Sequence, residues 1–136
     1  MGIIAKDDNQ VNLYYNSNSI NDKEANSYLK AFDEDLLAID TANEMLPESH
    51  WAELIEGVDK PIKEIVDLDM LESDQVEQIN ASDFSIEDWL TIIKNKPELI
   101  QGVIAIINGK FKHFNSPKSL ISFVADNSSS NNDSRT

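Results

Sequence analysis

The chain has 136 residues, 40% of them hydrophobic, and sets 25 acidic against 11 basic side chains for a formal net charge of −14. So acidic a surface repels phosphate backbones and anionic bilayers, and neither nucleic acid nor a membrane is expected as a direct partner. It contains no cysteine, which excludes disulfides, thiolate metal sites and thiol nucleophiles, and its sole arginine is Arg135, which leaves the rest of the chain no guanidinium fork for an anion.

Residues 1–10 carry no periodicity and read as a flexible leader. Their apolar part is too short, and the segment as a whole too acidic, for a signal peptide. No apolar run approaches a membrane span, so a cytoplasmic location is expected. Val11–Tyr15 reads as a first strand and Asn16-Ser17-Asn18-Ser19 as a turn. A helix then opens, with Ser19 or Asn21 as cap, Asp22 and Glu24 in its first turn, and Ala25, Tyr28, Leu29 and Phe32 at helical spacing. Asp35–Asp40 is the second strand, parallel to the first. Pro47 begins a helix with Trp51, Leu54 and Ile55 on one face, and Gly57 is placed to end it. A short helix from Pro61 to Val66 turns Ile62, Ile65 and Val66 inward, and another is expected over 73–79. Ser85 and Asp88 have capping-box spacing ahead of the stripe Ile86, Trp89, Leu90 and Ile93.

Val103–Ile107 is five apolar residues without interruption, mostly β-branched, as in a strand buried on both faces. Asn108-Gly109 suits the positive φ angles of a two-residue hairpin turn. In the returning strand Lys110 and Lys112 face away from Phe111 and His113, as befits an edge. Ser116-Pro117 opens a last helix with Leu120, Ile121, Phe123 and Val124 apolar. Residues 126–136 read as a disordered polar tail. The order is β-α-β, a helical insert, then α-β-β-α. It predicts one α/β domain over 11–125 with a thioredoxin-like, four-stranded mixed sheet, a βαβ unit plus a hairpin, flanked by helices.

Two segments resemble the arsenate reductase-like branch of the thioredoxin superfamily, which includes glutathione-dependent arsenate reductases and Spx-type transcription regulators. Tyr14-Tyr15-Asn16-Ser17-Asn18-Ser19 is similar to that family's motif of tyrosine, any residue, asparagine, proline, any residue, cysteine. Pro97-Glu98-Leu99-Ile100-Gln101-Gly102-Val103-Ile104 is similar to its proline, any, leucine, isoleucine, any, arginine, proline, isoleucine. The helices between Pro47 and Ile79 lie where this branch carries its insert. The resemblance puts the nucleophilic cysteine on Ser19, the second cysteine of some members on Asp22, the oxyanion-binding arginine on Gly102 and the following proline, cis in such folds, on Val103. Every redox position is changed.

A serine cannot substitute simply. Its hydroxyl stays protonated at a helix end that supplies at most about 2 kcal/mol, and it needs a neighbouring base. His50 and His113 are the only histidines; His113 is expected to lie far from Ser19, and the sequence does not place His50. Ser19 therefore reads as a cap, and no catalytic residue is expected. The resemblance leaves Asn16, Ser19, Asp22, Gln101, Gly102 and Val103 as a candidate groove for a ligand or extended peptide. With a trans bond before Val103, the altered groove weighs against inherited glutathione binding. The acidic sets Asp33, Glu34, Asp35 and Asp40, and Asp67, Asp69, Glu72 and Asp74, read as solvated faces without a metal-binding pattern. No cofactor or metal is expected. The function expected is a catalytically silent binding or regulatory module with an unidentified protein partner. The alternative is a glutathione- or thiol-handling oxidoreductase or transferase acting through Ser19.

Overall fold

The computed structural model describes residues 11–32, 36–80 and 85–125. The expected leader over 1–10, the tail over 126–136 and the acidic residues 33–35 lie outside these. Four strands, β1 (Asn12–Tyr15), β2 (Leu37–Asp40), β3 (Val103–Ile107) and β4 (Lys110–Phe114), form one sheet in the order β2-β1-β3-β4. β1 is parallel to β2 and antiparallel to β3, and β3 is antiparallel to β4. This is the βαβ-plus-hairpin sheet expected, with the apolar VIAII strand at its interior. The hairpin closes on Asn108 and Gly109 at φ 54° and 77°, the positive values that asparagine and glycine tolerate best.

The pleat sends alternate residues to opposite faces, and each face has its own core. One packs Tyr14, Ile104 and Ile106 against α2 (Glu48–Val58) and α4 (Ile86–Asn95), with Trp51, Leu54, Trp89 and Ile93 at its centre. The other packs Leu13, Val103 and Ala105 against Ala25 and Leu29 of α1 (Ile20–Phe32) and Leu120 and Val124 of the last helix, α5, over 117–125. Both tryptophans are core residues. Between α2 and α4 run two 3-10 turns, Ile62–Glu64 and Leu68–Met70, and α3 (Ser73–Asn80). The Ser85–Asp88 capping box forms in full.

Several expectations are corrected. Gly57 does not end α2. The helix runs past it to a left-handed Asp59 at φ 57°, and Gly57 is a packing glycine: a Cβ there would fall 2.5 Å from the Phe111 ring. Pro47 precedes the first helical residue instead of being it. Pro61 to Val66 makes a single 3-10 turn instead of a short α-helix, though Ile65 and Val66 are buried as expected. Phe32 and Ile86, expected on apolar stripes, stand 52% and 48% exposed. Each sits at a terminus of its helix, where the stripe overruns the surface it packs on.

Candidate functional site

The loop from β1 into α1 forms one wall of the candidate groove. Ser19 accepts the Asp22 N–H on its Oγ at 3.2 Å and the Lys23 N–H on its carbonyl at 3.0 Å, so it is the N-cap of α1. Asp22 does not close a capping box. Its Oδ2 reaches back to the Asn16 N–H at 2.9 Å, while the Asn16 side-chain oxygen accepts the Asn18 N–H at 2.8 Å. Asp22 is 4% exposed. Burial pushes its carboxyl above the usual range, with the Asn16 N–H and the Ser19 hydroxyl pulling the other way.

Asp40, at the end of β2, holds the same loop from the other side. Its Oδ1 accepts the N–H groups of Ser17 and Ala42, each at 3.0 Å, and its Oδ2 accepts from Asn43 Nδ2 at 2.5 Å. Burial would raise this carboxyl, but the side chain and N–H of Ser17, with Ala42 and Asn43, together hold it below the usual range. The sequence treats Asp40 as part of a solvated acidic face. The structure makes it the tie between the β1 and β2 exit loops. An aspartate closing a strand ahead of the Thr-Ala-Asn turn was the available signal.

The second wall is the approach to β3. Segment 65–67 lies against 99–101: Val66 and Ile100 form an antiparallel bridge, flanked by Gln101 N–H to Ile65 O at 2.7 Å and Asp67 N–H to Leu99 O at 2.8 Å. Gly102 follows at φ 78°, and any Cβ on it would run into the carbonyl of Phe114. No cis peptide bond occurs among the described residues, so Val103 follows a trans bond. His113 is buried behind this wall. Lys60 Nζ donates to its Nδ1 at 3.2 Å, which leaves Nε2 protonated to donate to the Gln101 carbonyl at 2.5 Å. Burial lowers the imidazole's pKa; the Gln101 bond opposes this and Lys60 adds to it.

The two walls meet across an open cleft of about 350 Å³. Asn16, Ser19, Asp22, Gln101 and Gly102 line it, with Asn18, Asn21, Asp67, Glu98, Ile100 and Asn115. Val103 does not. Its side chain is 2% exposed and packs into the α1 core, because the pleat turns the first β3 residue away from the cleft. Among the described residues, the charged groups lining the cleft are all acidic: Asp22, Asp67 and Glu98. A neighbouring recess of about 570 Å³ shares Asn16, Asn18 and Glu98 and adds Glu44, Met45 and Lys94.

Both histidines are committed elsewhere. His113 is bonded as above. His50 Nε2 lies 2.8 Å from the Tyr14 hydroxyl, with the rings edge to face at 5.5 Å. Burial first, then Glu53 and Glu44, push Tyr14 up to about 12, and burial holds His50 below its usual value. The group that Ser19 does meet is Asp22. Among the described residues no group of three or more histidines and carboxylates could hold a metal ion, and no helix is long and apolar enough to cross a membrane.

No family model matches the chain, and no curated protein matches it. Solved structures do. An arsenate reductase from Vibrio cholerae is similar over 83% of this chain and 96% of its own, at 16% identity and a TM-score of 0.68. Two proteins described as possible arsenate reductases share the fold. One, from Yersinia pestis, is similar over 82% of this chain and 98% of its own, at 12% identity and TM-score 0.66. The other, from Streptococcus mutans, is similar over 76% and 88%, at 14% identity and TM-score 0.59. The chain thus has the thioredoxin-like fold of solved arsenate reductases, in a sequence without cysteine.

Proposed function

We propose that this chain uses an arsenate-reductase fold without thiol chemistry, as a binding or regulatory module whose cleft suits a cationic partner segment. The observation that carries the reading is Gly102. It stands where the resemblance puts the anion-binding arginine, at a positive φ and against the Phe114 carbonyl, so no side chain, arginine included, is accommodated there without moving the wall. The cysteine position, Ser19, is spent on capping α1. The second cysteine position, Asp22, puts a buried acidic group at the helix end. An oxyanion entering this cleft would meet Asp22, Asp67 and Glu98, with no cation among the described residues that line it. A lysine-bearing segment would meet the same groups as partners.

Incubated with arsenate, glutathione and glutaredoxin, the protein is expected to give no turnover above buffer, and clear turnover would overturn the reading. A lysine-rich peptide should shift the amides of residues 16–22 and 98–102 in a salt-sensitive manner, and a glutamate-rich peptide of equal length should not. The competing reading is a glutathione- or thiol-handling enzyme acting through Ser19. It draws on the Ser19–Asp22 contact, where a hydroxyl adjoins a carboxyl whose pKa is raised by burial. Millimolar glutathione that shifted the Ser19 and Gln101 amides would favour it.

A further inference from the structure

We infer that a narrow recess beside the cleft binds one long-lived water molecule, held by the indole N–H of Trp51. Trp51 is 2% exposed, and its Nε1 has no acceptor among the described residues. An indole N–H can only donate. Left without a partner in an apolar core, such a donor costs about 1–3 kcal/mol, and native structures nearly always satisfy it with protein or ordered water. Trp51 also lines a cavity of about 10 Å³ whose other polar walls are Tyr14, Tyr15, Asn16, Asp22 and Thr41. That volume is at the lower bound for one water-sized sphere and too small for a second.

The chemistry of the walls fits a water on both counts. Its oxygen accepts from Trp51, and its two hydrogens need acceptors. The Asp22 carboxylate, with one oxygen taken by the Asn16 N–H, has lone pairs left, and so does the Thr41 hydroxyl, which donates its proton to the Tyr15 carbonyl at 3.1 Å. A buried water ordinarily makes two to four such bonds. An apolar atom would leave the indole donor unpaired, and a cation would face it directly. Water is the occupant that answers the indole donor and the acceptors on Asp22 and Thr41 together. It also explains why α2 presents a tryptophan to a cavity lined by the first β1-loop residue and by Gly102: the water bridges the insert to the sheet end beside the cleft.

The test is water-to-indole cross-relaxation by NMR on the intact protein. The chain has two tryptophans, so either Trp51→Phe or Trp89→Phe assigns the two indole signals, whichever variant folds. The Trp51 Hε1 proton is expected to show NOE and ROE peaks to the water line with the sign ratio of a molecule tumbling with the protein, distinct from exchange peaks. An exchanging hydroxyl proton, such as that of Thr41, can imitate these peaks, so they count for a bound water only together with electron density for it. A crystal structure should then show density about 2.7–3.2 Å from Nε1. A protected Trp51 indole with neither cross-peaks nor density would mean a dry recess and would overturn the inference.

Discussion

The two walls of the cleft are built on different physics. The wall from Asn16 to Asp22 is tied by side chains: Asp22 and Asp40 between them hold the N–H groups of Asn16, Ser17 and Ala42. The wall from Leu99 to Gly102 is tied by backbone: the Val66–Ile100 bridge and its flanking bonds, plus a glycine packed on a carbonyl. The first wall can be retuned by pH or by one carboxylate. The second resists substitution because its constraint is shape. A cleft with one adjustable and one rigid wall is suited to recognition, since the rigid side sets register while the acidic side sets charge preference.

The largest effect should come from the rigid wall. Gly102→Ala adds a Cβ at φ 78° against the Phe114 carbonyl, combining left-handed strain with overlap on backbone, and should cost about 2–4 kcal/mol in chemical denaturation. Gly102→Arg should cost at least as much and should not create arsenate binding. A stable Gly102→Arg variant that bound arsenate would break the comparison. Gly57 is the control. Its Cβ would meet the Phe111 ring first, a side chain instead of backbone, and Ala is a better helix former than Gly. Gly57→Ala should therefore lose less, about 1–2 kcal/mol, and the loss should shrink in a Phe111→Ala background, which removes the ring.

The side-chain wall should respond less and in a residue-specific way. Asp22→Ala leaves the buried Asn16 N–H without its acceptor and should cost about 1–3 kcal/mol. Asp22→Asn keeps an acceptor and sheds the buried charge, so it should be near neutral or stabilising at pH 7. His113→Leu removes the bond to the Gln101 carbonyl from behind the rigid wall and should cost about 1–2 kcal/mol, with amide shifts confined to 99–103. Shifts spreading instead through Asn16–Asp22 would show that the two walls are coupled.

The difference between the walls also explains what the sequence could convey. Apolar period and turn chemistry are local, so VIAII, the Asn108-Gly109 hairpin and the Ser85–Asp88 box were legible, and with them the strand order and the two-faced sheet. Gly57 misled because glycine signals either a helix end or a close approach, and only the position of Phe111, far along the chain, decides between them. The role of Gly102 as a position for φ > 0 was hidden for the same reason. Asp22 to Asn16, Asp40 to Ser17, and Tyr14 to His50 are side-chain bonds spanning 6, 23 and 36 residues, and they leave no periodic trace. Val103 enters the expected groove because the motif runs through it, whereas the pleat turns it to the opposite core.

The smallest effect separates the two carboxylates of the adjustable wall by sign. Asp40 is held below the usual range in the fold. Its unfolded-state pKa is about 3.9, so its ionised form contributes stability that is full above that pH and is lost as pH falls through the lower folded value. Asp22 is held above the usual range. Its ionised form opposes folding at neutral pH, and that opposition fades as pH falls through the raised folded value toward the unfolded one. Asp40→Asn should then be about 0.5–1 kcal/mol less stable than the parent at pH 7, because half-exposed bonds to a carboxylate are worth little more, and the gap should close below about pH 4. The Asp22→Asn difference should run the other way, with the variant's relative advantage at pH 7 shrinking on acidification. Denaturation midpoints of the three proteins across pH 3–7 measure both. Parallel curves for the two variants would mean that neither carboxylate is perturbed as the wall requires, and the adjustable side of the cleft would be as rigid as the other.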